Sequence, residues 1–344
     1  MDTRIVRIND KTEYSEQLQD AAAIILSGGL VVFPTETVYG LGGNGLLADA
    51  AKKIYSAKGR PSDNPLIIHV AEPKDAEKYA FVSETYYRLA EAFMPGPLTV
   101  IMPRRDCIPT SVTGELDTVA VRCPSHPVAN ALIRACGVPI AAPSANISGR
   151  PSPTSAKYVE EDMMGRVDMI IDGGECEIGL ESTIVSIDGE SLTLLRPGAI
   201  TYDALCCVCS DVKIAPAVMN KLAENEKPLS PGMKYRHYAP SADFVLLEGD
   251  AQSVLAFIKN EQRENGCAVL CYDEELCELD PSLTISIGKK DDLATQAKRL
   301  FTSLREADKL GAAKIYAHLP ELSGLGLALY NRMIRAAAHT IKKV

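Results

Sequence analysis

The chain has 344 residues, 46% of them hydrophobic and 24% charged, enough to bury one large core or two moderate ones, and two domains are expected. A formal net charge of −9, from 36 Lys and Arg against 45 Asp and Glu, argues against a protein whose main task is to grip nucleic acid non-specifically, although it leaves room for a local basic cleft. The start, Met1-Asp2-Thr3-Arg4-Ile5-Val6-Arg7, has no apolar signal segment, and no stretch offers the ~18 consecutive apolar residues of a membrane span, so a cytoplasmic setting is expected.

Residues 14 to 28 place Leu18, Ala21, Ala22, Ile25 and Leu26 at helical spacing, and Gly28-Gly29 closes the pattern. The apolar run Leu30-Val31-Val32-Phe33 then predicts a strand whose exit at Pro34 delivers Thr35, Glu36 and Thr37 to a sheet edge. A helix over 48 to 57 leads to Lys58. Strands are predicted at 66 to 70, 98 to 102, 119 to 122, 138 to 142, 167 to 172, 182 to 187 and 192 to 196, and helices at 83 to 94 and 126 to 136. Several strands read as hairpin neighbours, so a mixed sheet is expected. From 206 to 242 the periodicity lapses, and Pro228, Pro231 and Pro240 bracket Gly232-Met233-Lys234-Tyr235-Arg236-His237-Tyr238 as a linker. A second α/β unit follows, with strands at 243 to 248, 267 to 272, 283 to 287 and 313 to 318 and helices at 250 to 264, 291 to 307 and 325 to 339, an order that suits a small doubly wound sheet.

The chemistry concentrates in two segments. Phe33-Pro34-Thr35-Glu36-Thr37-Val38-Tyr39-Gly40-Leu41-Gly42 ends an apolar run in hydroxyls and glycines, and Lys58-Gly59-Arg60-Pro61-Ser62-Asp63-Asn64-Pro65 sets two cations one residue apart beside Ser62 and Asn64. Arg supplies a planar fork and Lys a compact charge, so the loop reads as an anion site, against the alternative of ordinary solvated cations. It is not a P-loop, because G-x-x-x-x-G-K-[ST] is absent. Gly40-Leu41-Gly42-Gly43-Asn44-Gly45 spells G-x-G-x-x-G, but the preceding strand exits at Pro34 instead of turning straight into a helix, so a dinucleotide site is not expected.

Pro143-Ser144-Ala145-Asn146-Ile147-Ser148-Gly149 clusters hydrogen-bonding side chains at a strand end, where they serve either a ligand or simply a turn. Thr118, Arg122, Ser182 and Arg196 sit at strand boundaries and line one cleft if those strands are neighbours. His69 closes an apolar strand and is equally well a satisfied core histidine. No Ser-His-Asp order and no H-E-x-x-H point to covalent or zinc-dependent hydrolysis. The ten cysteines, including Cys206-Cys207-Val208-Cys209 and Cys267, Cys271 and Cys277, form no paired knuckles, and Cys123 stands too near His126 in sequence for a catalytic pair, so reduced thiols are expected.

These residues resemble the two-domain Sua5 form of the YrdC-like threonylcarbamoyl-AMP synthases. The stretches at 33 to 42, 58 to 70, 95 to 99, 116 to 127, 139 to 154, 170 to 174, 181 to 185 and 194 to 200 look like the family's motifs, in its order, and the segment 231 to 240 resembles its linker. The resemblance implies a YrdC-like twisted mixed sheet with flanking helices over 1 to 205, a linker or lid over 206 to 242, and a smaller Rossmann-like α/β domain over 243 to 344. It implies synthesis of L-threonylcarbamoyladenylate and pyrophosphate from L-threonine, bicarbonate or CO2, and ATP with Mg²⁺, the product passing to a tRNA threonylcarbamoyltransferase for the t6A modification. Lys58 and Arg60 then hold the triphosphate as the catalytic cations, with Ser62 and Asn64 on the same loop. Thr118, Ser144, Asn146, Ser152 and Arg196 contact the nucleotide, and Thr35, His69, Arg122 and Ser182 hold threonine, Arg122 by forking its carboxylate. Tyr235 contacts ATP from a lid that includes His237 and Tyr238. Glu36, Glu181 and Asp172 are the carboxylates from which a Mg²⁺ ligand is sought. The rival reading is a double-stranded RNA or tRNA-binding module without catalysis, for which this acidic chain predicts only weak, salt-sensitive affinity. A carbamoyl transferase of the hydrogenase-maturation kind needs acylphosphatase and zinc-finger segments that the sequence lacks.

Overall fold

The computed structural model describes residues 2–8, 14–220 and 237–344. They fall into two compact units: the first takes most of the chain up to Asn220, and the second takes residues 237–344 with the short segments Gly149–Pro151 and Ile178–Leu180.

In the first unit the elements run β1 (Arg4–Arg7), α1 (Tyr14–Leu26), β2 (Val31–Phe33), β3 (Gly40–Asn44), α2 (Ala48–Lys58), β4 (Ile67–His69), α3 (Glu84–Phe93), β5 (Leu98–Pro103), α4 (Thr110–Thr113), β6 (Thr118–Arg122), α5 (Pro127–Cys136), β7 (Ile140–Ala142), α6 (Ala156–Met163), β8 (Met169–Asp172), β9 (Thr183–Asp188), β10 (Ser191–Arg196), α7 (Tyr202–Val208) and β11 (Val212–Ile214). The strands form one eleven-stranded sheet in the order β1-β8-β2-β3-β7-β4-β6-β5-β9-β10-β11. Its pairing is mixed, as expected: β2/β3, β3/β7, β4/β7, β5/β6 and β9/β10 are antiparallel, while β4/β6, β5/β9 and β10/β11 are parallel.

Alternation along these short strands divides the apolar residues between two faces. Val32, Leu41, Ile68, Val100, Met102, Val119, Val121, Ala141 and Val185 join the main core, with Ile54 and Tyr55 of α2 and Tyr86 and Leu89 of α3. On the opposite face Val31, Phe33, Ile140 and Ala142 pack under α1 and α5 at one side of the sheet only. Helix ends follow local chemistry. Ser83 caps α3 by accepting from the Tyr86 N–H, and α2 and α5 stop at Gly59 (φ 61°) and Gly137 (φ 62°), left-handed positions that glycine takes without a Cβ clash.

The sequence reading assigned no element to β1, α4 or α6, and two further stretches bear on the site. The glycine-rich run 40–44, to which the sequence reading assigned no element, is strand β3. A Cβ on Gly42 would lie 2.7 Å from Phe33 Cε1 and 2.8 Å from Ile140 Cγ2, so glycine is needed there for close packing rather than for ligand approach. The stretch from 206, read as the start of a linker, completes α7 and then forms β11, which pairs in parallel with β10.

The second unit contains β12 (Asp243–Glu248), α8 (Ala251–Asn265), β13 (Ala268–Cys271), β14 (Thr284–Ser286), α9 (Leu293–Lys309), β15 (Lys314–His318), α10 (Gly324–Ala336) and β16 (Ile341–Lys343). Its five strands are all parallel, in the order β14-β13-β15-β12-β16, which is a small doubly wound sheet. Asp250 caps α8 through the N–H groups of Gln252 and Ser253, and Gly266 ends it.

Candidate active site

Register brings the dispersed polar residues of the first unit together. Across seven neighbouring strands a single row of paired residues runs Asn44, Ile140, His69, Arg122, Thr99, Ile184, Arg196. Directly paired residues share a face, so His69, Arg122, Thr99 and Arg196 emerge on the same side, opposite the main core. Thr118 lies on that face as well, in register with Pro103. Arg196 joins the row because the β9/β10 register shifts between Leu194 and Arg196, a bulge that re-aims the side chain.

Hydrogen bonds lock the row. Ser182 Oγ shares a hydrogen bond with Thr99 Oγ1 at 2.7 Å and accepts from Arg196 Nη2 at 3.1 Å, while Arg196 Nε donates to the Ser182 carbonyl at 3.0 Å. Arg122 Nη2 donates to Glu36 Oε1 at 2.7 Å, with both side chains 5% exposed. Burial alone would raise the Glu36 pKa, but the charge and hydrogen bond of Arg122, helped by the backbone near Glu36 and Ser125, hold it below the ordinary carboxylate value. His69 is fully enclosed. Burial first, and the Arg122 charge second, push its pKa down to about 3, so it is neutral at physiological pH, and its Nδ1 lies 3.3 Å from the Ile140 carbonyl oxygen.

The cation loop is not a pair of solvated charges. Lys58, the last residue of α2, is 2% exposed and donates from Nζ to the carbonyls of Ser144 (2.5 Å) and Asn146 (2.7 Å). Ser144 Oγ in turn donates to Asn146 Oδ1 at 2.6 Å, so the 143 to 149 turn and the lysine form one network. Arg60, 9% exposed, donates through Nη2 to the carbonyls of Asn64 and Pro65, both at 3.2 Å. Asn64 is wholly buried and neither atom of its amide has a hydrogen-bond partner, whereas Ser62 is exposed on the same loop. Thr35 is buried, its hydroxyl donating to the Val38 carbonyl at 2.6 Å and accepting from the Thr37 and Val38 N–H groups in a local turn. Ser152 Oγ donates to Glu181 Oε1 at 2.6 Å.

The sequence reading missed Thr99 and the Ser152 to Glu181 contact, and considered Glu36 only for metal. Alternation with the core residues Leu98 and Val100 marks Thr99 as facing away from the main core, but its place beside Arg122 comes from strand pairing. Of the expected lid, Tyr235 lies outside the described residues. Tyr238 is buried in the second unit, stacked on Phe301 with ring centroids 5.0 Å apart, and His237 packs against it at 5.6 Å.

Comparison with known proteins agrees with this layout. A family profile described as telomere recombination, covering Sua5, YciO and YrdC, matches residues 23–198, and one described as the threonylcarbamoyl-AMP synthase C-terminal domain matches residues 200–338. A threonylcarbamoyl-AMP synthase from Pyrococcus abyssi is 43% identical over 99% of this chain and 100% of its own length. The chain belongs to the Sua5 family. Sua5-family relatives named threonylcarbamoyl-AMP synthase also occur in Bacillus subtilis (43% identical, 93% of each chain) and Schizosaccharomyces pombe (36%, covering 95% of this chain and 90% of the relative). Among solved structures, P. abyssi Sua5 complexed with L-threonine superposes with a TM-score of 0.92 at 43% identity, covering 99% of this chain and 100% of that one. The two-unit α/β architecture is thus that of Sua5.

Proposed function

We infer that the chain is an L-threonylcarbamoyladenylate synthase, a nucleotidyltransferase that joins L-threonine, bicarbonate or CO2, and ATP, releases pyrophosphate, and supplies the threonylcarbamoyl group for tRNA modification. The observation that carries the reading is the transverse row His69, Arg122, Thr99, Arg196 on one sheet face, in a chain that matches threonylcarbamoyl-AMP synthases along its whole length. The chemistry requires it. An N-carboxylated amino acid must approach the α-phosphorus of a nucleotide, and both partners are anions, so the site must supply fixed positive charge and oriented donors while holding the reactants in line.

Arg122, with neutral His69 and with Ser182 beside it, suits the amino acid. Its guanidinium takes the α-carboxylate, and an uncharged imidazole neither repels the ammonium group nor competes for the carboxylate. Lys58 and Arg60 hold the phosphates, with Ser144, Asn146, Thr118, Ser152 and Arg196 placing the nucleotide. Both cations are buried and held by carbonyl contacts, so their charge is in place before a triphosphate arrives, and Lys58 exchanges part of its network for phosphate oxygens. Mg²⁺ fits as a companion of ATP. Among the described residues there is no cluster of three or more His, Cys, Asp or Glu able to hold a metal, and Mg²⁺ ordinarily keeps its waters and binds substrate phosphates with few protein oxygens. When bound it neutralises phosphate charge.

No helix among the described residues is long and apolar enough to cross a membrane, and all ten cysteines are unpaired thiols, in keeping with a cytoplasmic enzyme that passes its product to a tRNA threonylcarbamoyltransferase. Pyrophosphate release from ATP in the presence of bicarbonate and Mg²⁺ tests the reading. Release that appears only when L-threonine is added is the expected result; release indifferent to threonine, or none, contradicts it.

A further inference from the structure

The Glu36–Arg122 contact is single-pronged. Arg122 Nη2 meets Glu36 Oε1 at 2.7 Å, but Glu36 Oε2 and Arg122 Nε, both buried, make no hydrogen bond of ordinary geometry. Guanidinium and carboxylate groups frequently engage through two parallel bonds, whereas this pair, out of water, engages through one. The surroundings of Arg122 explain the arrangement. Its row neighbours, His69 and Thr99, are uncharged, so among these groups Glu36 alone balances the guanidinium. Glu36 comes from the loop after β2, 86 residues away in sequence, and Pro34 of that loop is packed tightly enough that a Cβ on Gly173 would lie 2.6 Å from its Cγ. The carboxylate is therefore presented by a braced segment.

We propose that Glu36 is a positioning residue for amino-acid recognition: through Oε1 it fixes the Arg122 guanidinium by one edge nitrogen and leaves the rest of the guanidinium to take the α-carboxylate of threonine. The inference rests on the amino-acid site read above. It gives the acid at position 36 a role separate from metal binding and from contact with the reacting atoms. The depressed pKa, set by Arg122 against the effect of burial, keeps the carboxylate ionised at neutral pH, as the role requires.

Glu36→Gln, which preserves size and an acceptor oxygen but removes the charge, tests it. Steady-state pyrophosphate release should show the KM for threonine rising about 10- to 100-fold, while the KM for ATP moves less than about threefold. L-threoninamide, which lacks the carboxylate, is the second probe. In calorimetric titrations the wild type should prefer threonine strongly, and Glu36→Gln should lose about tenfold or more of that preference. Glu36→Asp, with the charge on a shorter arm, should fall between and is the variant to read if Glu36→Gln does not fold. The proposal is overturned if the variants keep the wild-type threonine KM and the wild-type preference over threoninamide, or if both KM values rise together, the mark of a merely structural residue. A wild-type enzyme without threonine-dependent release would instead remove the functional reading, so the two failures are distinguishable.

Discussion

At the scale of single residues, the site works by withholding charge as much as by supplying it. His69 lies beside Arg122 and is kept neutral by burial and by that cation, so this part of the row carries one guanidinium balanced by one carboxylate. This has a consequence for stability. The unfolded chain binds a proton at His69 as the pH falls below about 6.5, whereas the folded chain resists until about 3, so the folded state loses stability as the pH drops through that window. By pH 5 the loss reaches about 2 kcal/mol at most. Glu36, whose folded pKa is also depressed, adds its loss in the same direction but at more acid pH. Urea unfolding at pH 7 and pH 5 should show a smaller acid-dependent loss in His69→Gln than in the wild type. Equal losses would mean that the imidazole takes up a proton in the folded protein and is not held neutral.

At the scale of elements, the active face depends on strands that the sequence disguises. β3 goes unassigned in the sequence because glycine is depleted from strands in general, yet its glycines allow Phe33 and Ile140 to close over it. Gly42→Ala should therefore destabilise the first unit by about 1–3 kcal/mol, since both blocking side chains are themselves fully buried and have no room to retreat. Denaturant unfolding checks this, and an unchanged or raised midpoint would show that the strand tolerates a side chain there. The other long strands were legible because Val, Ile and Leu alternate or cluster between turn residues, and helices such as α2, α5 and α8 because their apolar spacing and glycine stops agree. α7 and β11 were not, because α7 has a single buried residue and β11 is only three residues long, so neither carries a clear periodicity. In the site, the polar residue types at strand ends were visible, but their assembly was not. The order β7-β4-β6-β5-β9-β10, which places His69 beside Arg122 and Arg122 beside Thr99, comes from long-range pairing, and so does the approach of Glu36.

At the scale of the whole molecule, the two units divide along different physical lines. The first is a broad mixed sheet with most of its apolar residues on one face and a row of polar side chains on the other; the second is an all-parallel sheet with helices carrying its own apolar cluster. The acidic net charge of the chain coexists with four buried cations in the first unit, Lys58, Arg60, Arg122 and Arg196. That distribution suits an enzyme for small anions better than a protein that wraps nucleic acid. The most direct test of the central claim, that two negatively charged reactants are joined over this face, is to supply ¹³C-bicarbonate with ATP, Mg²⁺ and L-threonine and to determine the mass of the nucleotide product. An adenylate of threonine carrying one labelled carbon, formed together with pyrophosphate, is the predicted result; ATP consumed without a labelled threonyl adenylate would contradict it.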